Sequence, residues 1–303
     1  MHDAASFPVT EAYRGMRLDR FLQRMVPRMS RASVQAAIAT RVTLASGAAA
    51  KASRRLVVGD VVAIGPSAAA AACDVLVPTL CDGGGWLVVD KPPGLACTPS
   101  SRRPGADVAT VLGHAPAHRL DRFTSGCLLL ARDPATARAL ARAFRDHAVE
   151  KDYLAVVEGV PDAPWFEVDA PLGVDAASRV TGKVAVTARG APAATFFEVL
   201  ARRGDRTLLR AQPRTGRRHQ IRAHLAHVGH AIVGDVLYGG DERRFIRLQR
   251  GQPIDVPPGL QPGRHLLHAA RLAFPDPGTG RRVEVHAPLP ADFGLWPAPG
   301  AVS

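Results

Sequence analysis

The sequence predicts an α+β fold, in which a mainly antiparallel mixed sheet follows a small N-terminal α/β module. Two observations predict it. From residue 75 onward, short apolar runs recur with few helical patterns between them, and they do not alternate regularly with helices as in a parallel sheet. Before them, two helical patterns precede two strand-like runs. The 303 residues and the apolar content of 47% suffice for one large domain and one small one.

The small module is predicted over residues 16–65, after a tail at 1–15. Apolar residues recur at helical spacing after Arg17, which predicts a helix that Pro27 ends. Ser30 is suited to cap a second helix. The apolar faces of these helices are Leu18, Phe21, Leu22 and Met25 in the first, and Val34, Ala37 and Ile38 in the second. Strands are predicted at 42–44 and 56–64, and a Pro- and Ala-rich linker at 66–74.

The large domain is predicted over residues 75–292, with a second tail at 293–303. Its few helical patterns lie far apart along the chain, and strand-like runs lie on either side of them. The predicted strands are 75–80, 86–89, 153–158, 195–200 and 207–212, and the predicted helices are 135–147 and 219–228.

The chain carries a net charge of +12. Such an excess of Lys and Arg suits a polyanion such as RNA or DNA. An Arg-rich genome and a membrane-surface protein are the alternatives that charge leaves open. The four cysteines lack C-x-x-C spacing, which predicts free thiols in a reducing compartment. Because neither a secretory signal nor an apolar run of ~20 residues is found, we expect a cytoplasmic protein that does not span a membrane.

One carboxylate stands out within residues 118–126. Asp121 lies between Arg119 and Arg122 and precedes a Thr-Ser-Gly turn, which the apolar run 127–131 follows. This order places the carboxylate at the mouth of a buried strand. An acid flanked by arginines stays ionised and is able to act as a nucleophile or a base.

A second motif, residues 213–225, combines a strand end with a basic helix. Thr215 and Gly216 break the strand, and the helix that follows places Arg218 and Arg222 one turn apart. Four histidines cluster here, but the helical Glu base of a hydrolytic zinc site is missing, so no metal is expected. Neither a phosphate loop nor a dinucleotide fingerprint occurs, so no nucleotide cofactor is expected. The clustered histidines are His219, His224, His227 and His230.

Together, these two motifs resemble those of the RluA-type family of RNA pseudouridine synthases. Lys91-Pro92-Pro93-Gly94 and Lys151-Asp152-Tyr153-Leu154-Ala155 extend the resemblance, which covers residues 75–292. Arg17-Leu18-Asp19 and Ser30-Arg31 are similar to an S4 RNA-binding domain over residues 16–65. The resemblance implies a catalytic domain of pseudouridine synthase type that isomerises uridine in RNA without a cofactor.

The resemblance also implies roles for individual residues. Asp121 matches the nucleophile, and Arg222 matches the residue that pairs with it. Tyr153 matches the residue that stacks on the uracil and serves as base, and Arg119 matches the one that enters the RNA helix where the target is flipped out. Ile221 is expected to line the pocket. Which atom Asp121 attacks, or whether it takes a ribose proton, stays open. RNA contacts are expected from Arg119, Arg122, Arg217, His219, Gln220, Arg17, Arg20 and Arg31.

The S4-like module favours 23S ribosomal RNA as the substrate, with tRNA as the second candidate. A monomer is expected. The alternatives from other classes are a non-catalytic RNA-binding or ribosome assembly factor and a His-dependent metallohydrolase acting on nucleic acid.

Overall fold

The computed structural model describes residues 5–26, 31–40, 42–65, 75–99, 106–294 and 296. The chain forms two compact units, one of residues 1–76 and 98–113 and the other of residues 77–97 and 114–303. The predicted linker 66–74, the Ser30 cap, the predicted helix end at Pro27 and most of the predicted C-terminal tail lie outside the described residues.

The smaller unit contains two helices on a three-stranded antiparallel sheet. The predicted apolar faces meet in its core, where Phe21 and Val34 are fully buried. The prediction of a tail at 1–15 is wrong for residues 5–8, which pair with residues 61–64 because Phe7 packs on this core. The elements are β1 Ala5–Pro8, α1 Leu18–Met25, α2 Arg31–Thr40, β2 Val42–Leu44, β3 Val61–Ile64 and α3 Val108–Leu112, with sheet order β1-β3-β2.

The larger unit is built on a ten-stranded mixed sheet, which confirms the predicted fold class. The strands are β4 Thr79–Asp82, β5 Trp86–Lys91, β6 Ala115–Pro116, β7 Ser125–Ala131, β8 Glu150–Glu158, β9 Trp165–Asp169, β12 Ala194–Arg203, β13 Arg206–Pro213, β14 Leu267–Pro275 and β15 Arg282–His286. Their order is β4-β5-β7-β14-β8-β13-β12-β9, and β6 and β15 pair with β7 and β14. β10 Leu172–Val174 and β11 Val184–Val186 form a separate hairpin. Within the described ranges, β7 and β14 run parallel and the other pairs are antiparallel.

Three helices accompany this sheet: α4 Pro134–Arg145, α5 Gln220–His227 and α6 Glu242–Gln249. Asp133 begins α4 by accepting hydrogen bonds from the amides of Ala135 and Thr136. α5 buries Ile221 and Leu225 in the main core, next to the strands that carry the site. The predicted strand 75–80 instead begins at Thr79, because Pro78 has no amide to donate to a ladder. No helix in the described part of the chain is long and apolar enough to cross a bilayer.

The buried strand β7 follows Asp121 directly, and all seven of its residues are buried. It crosses β14 closely at Gly126, whose φ of +105° favours glycine. A Cβ there would lie 2.2 Å from the carbonyl oxygen of Ala269, so no other residue fits without moving one strand. This crossing fixes the strand that begins four residues after the carboxylate.

Candidate active site

A cavity of about 1060 Å³ opens beside the start of β7. Its walls come from three segments that the fold brings together: the loop between β6 and β7, the start of β8, and the connection from β13 into α5. Asp121, Tyr153, Ile221 and Arg222 all line it. These four residues come from the motifs that the sequence singled out, although they are spread over 100 positions.

The buried ammonium of Lys91 holds the loop that carries Asp121. Its Nζ donates to the carbonyl oxygens of Pro92 at 2.9 Å, Leu95 at 2.8 Å and Arg122 at 3.0 Å. Burial lowers the pKa of Lys91 to about 8. The three carbonyl contacts tie the turn after β5 to the backbone next to Asp121, which gives the Lys-Pro-Pro-Gly segment a structural reason.

Arg264 clamps the other side of the same loop. Its guanidinium is 2% exposed and donates to the carbonyl oxygen of Phe123 at 2.7 Å and to Ser125 Oγ at 3.1 Å. An ion pair with Asp292 at 2.6 Å balances its charge. The backbone on both sides of Asp121 is therefore anchored by buried cations.

Arg222 connects Asp121 to a second carboxylate, Asp235. Its Nη1 donates to Asp121 Oδ2 at 2.7 Å, while Nε and Nη2 bind Asp235 in a bidentate pair at 2.6 and 2.9 Å. Asp235 also accepts from the amides of Leu237 and Tyr238. Burial opposes the charge of Arg222, but Asp235 and Asp121 more than offset it and raise the pKa of the guanidinium. Asp235 thus fixes Arg222 so that one donor points at Asp121.

Asp121 is held in its ionised form. Burial works against the charge, but His219 and Arg222 outweigh it and lower the pKa of Asp121 to about 2. His219 Nε2 lies 3.7 Å from Asp121 Oδ1, and its Nδ1 lies 3.1 Å from the Tyr238 hydroxyl. Because burial lowers the pKa of His219 to about 4, this imidazole is neutral at pH 7. The cation that faces Asp121 at neutral pH is therefore Arg222.

Tyr153 lies on β8, opposite Ala211 and Ala269 on the neighbouring strands. Small residues on both sides leave room for a planar group beside its ring. Burial, and after it the charge of Asp121, raise the pKa of Tyr153 far above its usual range. The phenol is therefore protonated at neutral pH and offers a hydrogen-bond donor to whatever occupies the cavity.

The residues predicted to contact RNA fall into different environments. Arg119 and Arg217 are exposed and line the mouth of the cavity. Arg122 lies outside the cavity lining and donates to the carbonyl oxygen of Gly94 at 2.7 Å. His219 faces Asp121 and not the surface. In the smaller unit, Arg20 is exposed, Arg17 forms a bidentate pair with Asp19, and the side chain of Arg31 lies outside the described residues.

Gln220 does not fit the prediction of an RNA contact. It is 4% exposed, and its Oε1 accepts from Thr215 Oγ1 at 2.7 Å and from the Arg217 amide at 2.9 Å. Its Nε2 donates to the carbonyl oxygen of Ala194 and to Thr195 Oγ1. These four bonds use the amide fully, so Gln220 shapes the turn into α5 instead of meeting a ligand.

Sequence reasoning gave no role to Asp235, Lys91 or Arg264 and misplaced His219. Asp235 had a detectable signal, because it follows Gly234 ten residues after the helix stripe ends at Leu225. The left-handed conformation of His219, with φ of 53°, had none.

The histidines that suggested a metal site have other partners. His224 Nδ1 lies 2.9 Å from Thr195 Oγ1, and its Nε2 lies 2.9 Å from the carbonyl oxygen of Ala170. His230 Nδ1 lies 3.1 Å from the carbonyl oxygen of Glu158. Across the described ranges, no three His, Cys, Asp or Glu residues are grouped to hold a metal ion.

Comparisons with known proteins point in one direction. The family model described as RNA pseudouridylate synthase matches residues 85–227. An uncharacterized RNA pseudouridine synthase of Chlorobaculum parvum is 32% identical over 95% of this chain and 94% of its own length. The ribosomal large subunit pseudouridine synthase C of Escherichia coli is 41% identical over 59% of this chain, a match that spans 53% of that enzyme. The solved structure of human RNA pseudouridylate synthase domain containing 1 aligns with a TM-score of 0.56 and 26% identity, over 70% of this chain and 83% of that one.

Proposed function

The chain belongs to the RNA pseudouridine synthase family, and from this premise we propose that it isomerises specific uridines of structured RNA with Asp121 as the nucleophile. The observation that carries the proposal is an ionised carboxylate held against Arg222 in a cavity large enough for a nucleotide. Such a carboxylate needs no base to activate it, because it is already deprotonated at neutral pH.

The reaction breaks the bond between C1′ and N1 and forms one between C1′ and C5. The proton on C5 leaves, and N1 gains one, so substrate and product have the same composition. Asp121 supplies an oxygen that attacks the nucleotide and is released when C5 bonds to C1′. Arg222 keeps that oxygen aimed throughout, because Asp235 fixes the other edge of the guanidinium.

A uridine reaches Asp121 only after it has left its helix, since a stacked nucleotide cannot present C1′ to a recessed acid. We assign Tyr153 to the face of the flipped uracil and Arg119 to the vacated position in the RNA, with Ile221 along the pocket wall. The high pKa of Tyr153 favours the phenol as a proton donor in the resting enzyme. As a base, Tyr153 would have to lose its proton during the reaction, when charge on Asp121 is consumed.

For the substrate we favour 23S ribosomal RNA, with tRNA second. The name of the E. coli relative refers to the large ribosomal subunit, and the smaller unit offers an S4-like surface with Arg20 exposed on α1. If that surface binds RNA, Arg20→Ala weakens binding and makes its salt dependence shallower by about 0.7–0.9. Unchanged affinity and slope would remove the S4 assignment.

The isomerisation is tested with total RNA labelled with [5-³H]uridine and taken from cells that lack the gene. Because every conversion releases the C5 hydrogen to water, tritium release reports turnover without knowledge of the modified site. Wild-type protein is expected to release tritium to a plateau, and carbodiimide mapping then identifies the uridines.

Two other outcomes would overturn the proposal in different ways. RNA binding without tritium release, with no carbodiimide-detected pseudouridine missing in cells without the gene, would favour a non-catalytic assembly factor. Phosphodiester cleavage that a chelator stops would favour the metallohydrolase.

A further inference from the structure

Lys151 lies in the cavity wall, two residues before Tyr153 on β8. Successive side chains of a strand alternate between faces, so Lys151 and Tyr153 project from the same face, about 7 Å apart. The family chemistry described above uses Asp121, Tyr153 and Arg222 and leaves this lysine without a role.

The acids on both sides of Lys151 are committed elsewhere. Glu150 pairs with Arg271 at 3.1 Å and Arg282 at 2.8 Å. Asp152 pairs with Arg271 at 3.2 Å and accepts from Gln212 Nε2 at 2.8 Å. Strand alternation separates both carboxylates from the lysine, and the arginines neutralise them there.

Nothing around Lys151 supplies a negative charge. Its cross-strand neighbour on β14 is the buried Leu272. The nearby His118 is no substitute, because its Nε2 accepts a hydrogen bond from the amide of Leu129 and burial keeps the ring neutral. Lys151 forms no hydrogen bond or ion pair with any residue that the structure describes. A half-buried ammonium without a partner is costly, and an anionic ligand removes that cost.

We propose that Lys151 is a phosphate-binding subsite, which holds a phosphodiester group of the RNA strand beside the flipped uridine. The inference rests on the proposed function and deepens it. A lysine presents a compact charge at the end of a flexible stem, which suits a phosphate whose position shifts as the base turns. Tyr153 would hold the base while Lys151 holds the backbone of the same nucleotide or its neighbour.

The binding test uses a ten-nucleotide oligouridylate and an uncharged methylphosphonate oligomer of the same sequence, neither of which depends on turnover. Lys151→Met is expected to bind the charged oligomer about tenfold more weakly. Its salt slope should fall by roughly 0.7–0.9, the value of one lost phosphate contact. Lys151→Arg should retain the slope. Arg203→Met, at the far end of β12, removes an exposed cation as the matched control and should change neither.

The uncharged oligomer separates charge from packing. Wild type and Lys151→Met should bind it equally, because it offers no anion. Equal weakening for both oligomers, or an unchanged salt slope with the charged one, would overturn the subsite. In the tritium assay Lys151→Met should raise KM more than it lowers kcat. If wild type binds the oligomers as expected but releases no tritium, the proposed reaction fails while the phosphate subsite stands.

Discussion

The floor of the cavity and its rim are built from the same residue type in opposite ways. At the floor, Arg222 is 7% exposed and shared by two carboxylates, Asp121 and Asp235. At the rim, Arg119, Arg217 and Arg218 are exposed, and none has a carboxylate partner among the described residues. The floor therefore spends its charge on geometry, whereas the rim keeps its charge for a ligand. The difference predicts that floor variants lose turnover and stability, and that rim variants lose affinity.

The largest effect is expected from Asp121→Asn. The change keeps the shape of the side chain and removes the charge, so turnover should fall by roughly 10³-fold or more in the tritium assay. RNA affinity should stay within about threefold, because the rim is unchanged. Residual turnover within tenfold of wild type would mean that Asp121 is not the nucleophile.

Arg222→Met tests whether the floor is one unit. The substitution leaves Asp235 and Asp121 without their cation, so unfolding free energy should fall by about 3–5 kcal/mol, measured by urea denaturation. Turnover of the remaining folded protein should fall about 100-fold as Asp121 loses its aim. The control is Arg214→Met, which breaks the exposed pair with Glu167 and should cost about 0–1 kcal/mol. Equal costs for both variants would show that the floor pair is no more coupled than a surface pair.

The dry surroundings of the floor predict a proton-linked loss of stability. Burial lowers the pKa of His118 to about 3, below its unfolded value near 6.5, so its contribution is complete above pH 6.5 and is lost as pH falls toward 3. His118→Gln keeps an acceptor for the Leu129 amide and should flatten the stability profile by about 1.4 kcal/mol per pH unit below pH 6. The exposed His227, changed to Gln, should leave the profile as it is. A profile that His118→Gln does not alter would place the proton uptake elsewhere.

The rim should give the smallest effects. Arg119→Ala and Arg217→Ala are each expected to weaken binding of the labelled RNA several-fold and to lower the salt slope by roughly 0.7–0.9, with kcat nearly unchanged at saturation. Arg203→Ala is the matched control, because this exposed arginine lies at the opposite end of β12. A rim variant that loses kcat but keeps its affinity would erase the distinction between floor and rim.

Local patterns were enough to predict the parts of the molecule that depend on neighbours in sequence. The strand after Asp121, α4, α5 and the two strands before α5 were all predicted near their observed positions. β14 was not predicted, because its run of Leu, His and Ala has little strand preference, and pairing with β7 and β8 on both sides decides its conformation.

The site divides in the same way. Asp121, Tyr153, Ile221 and Arg222 carry signals in their own motifs, and the fold gathers them at one cavity. The partners that hold them do not: Asp292 acts on the Asp121 loop through Arg264, over more than 160 residues of sequence. Gln220 was assigned to RNA because its motif is basic, whereas the neighbouring turn uses all of its hydrogen bonds.

The close crossing at Gly126 has a consequence for heredity. Every nucleotide change at the first two positions of a glycine codon replaces the residue, and each replacement here must push β7 away from Ala269. The shifted strand carries with it the loop that aims Asp121, five positions upstream. In a saturation library selected for tritium release, this codon should return glycine alone, although it touches neither RNA nor the carboxylate. Two-thirds of a codon far from any chemistry would thus be as intolerant as the codon for the nucleophile.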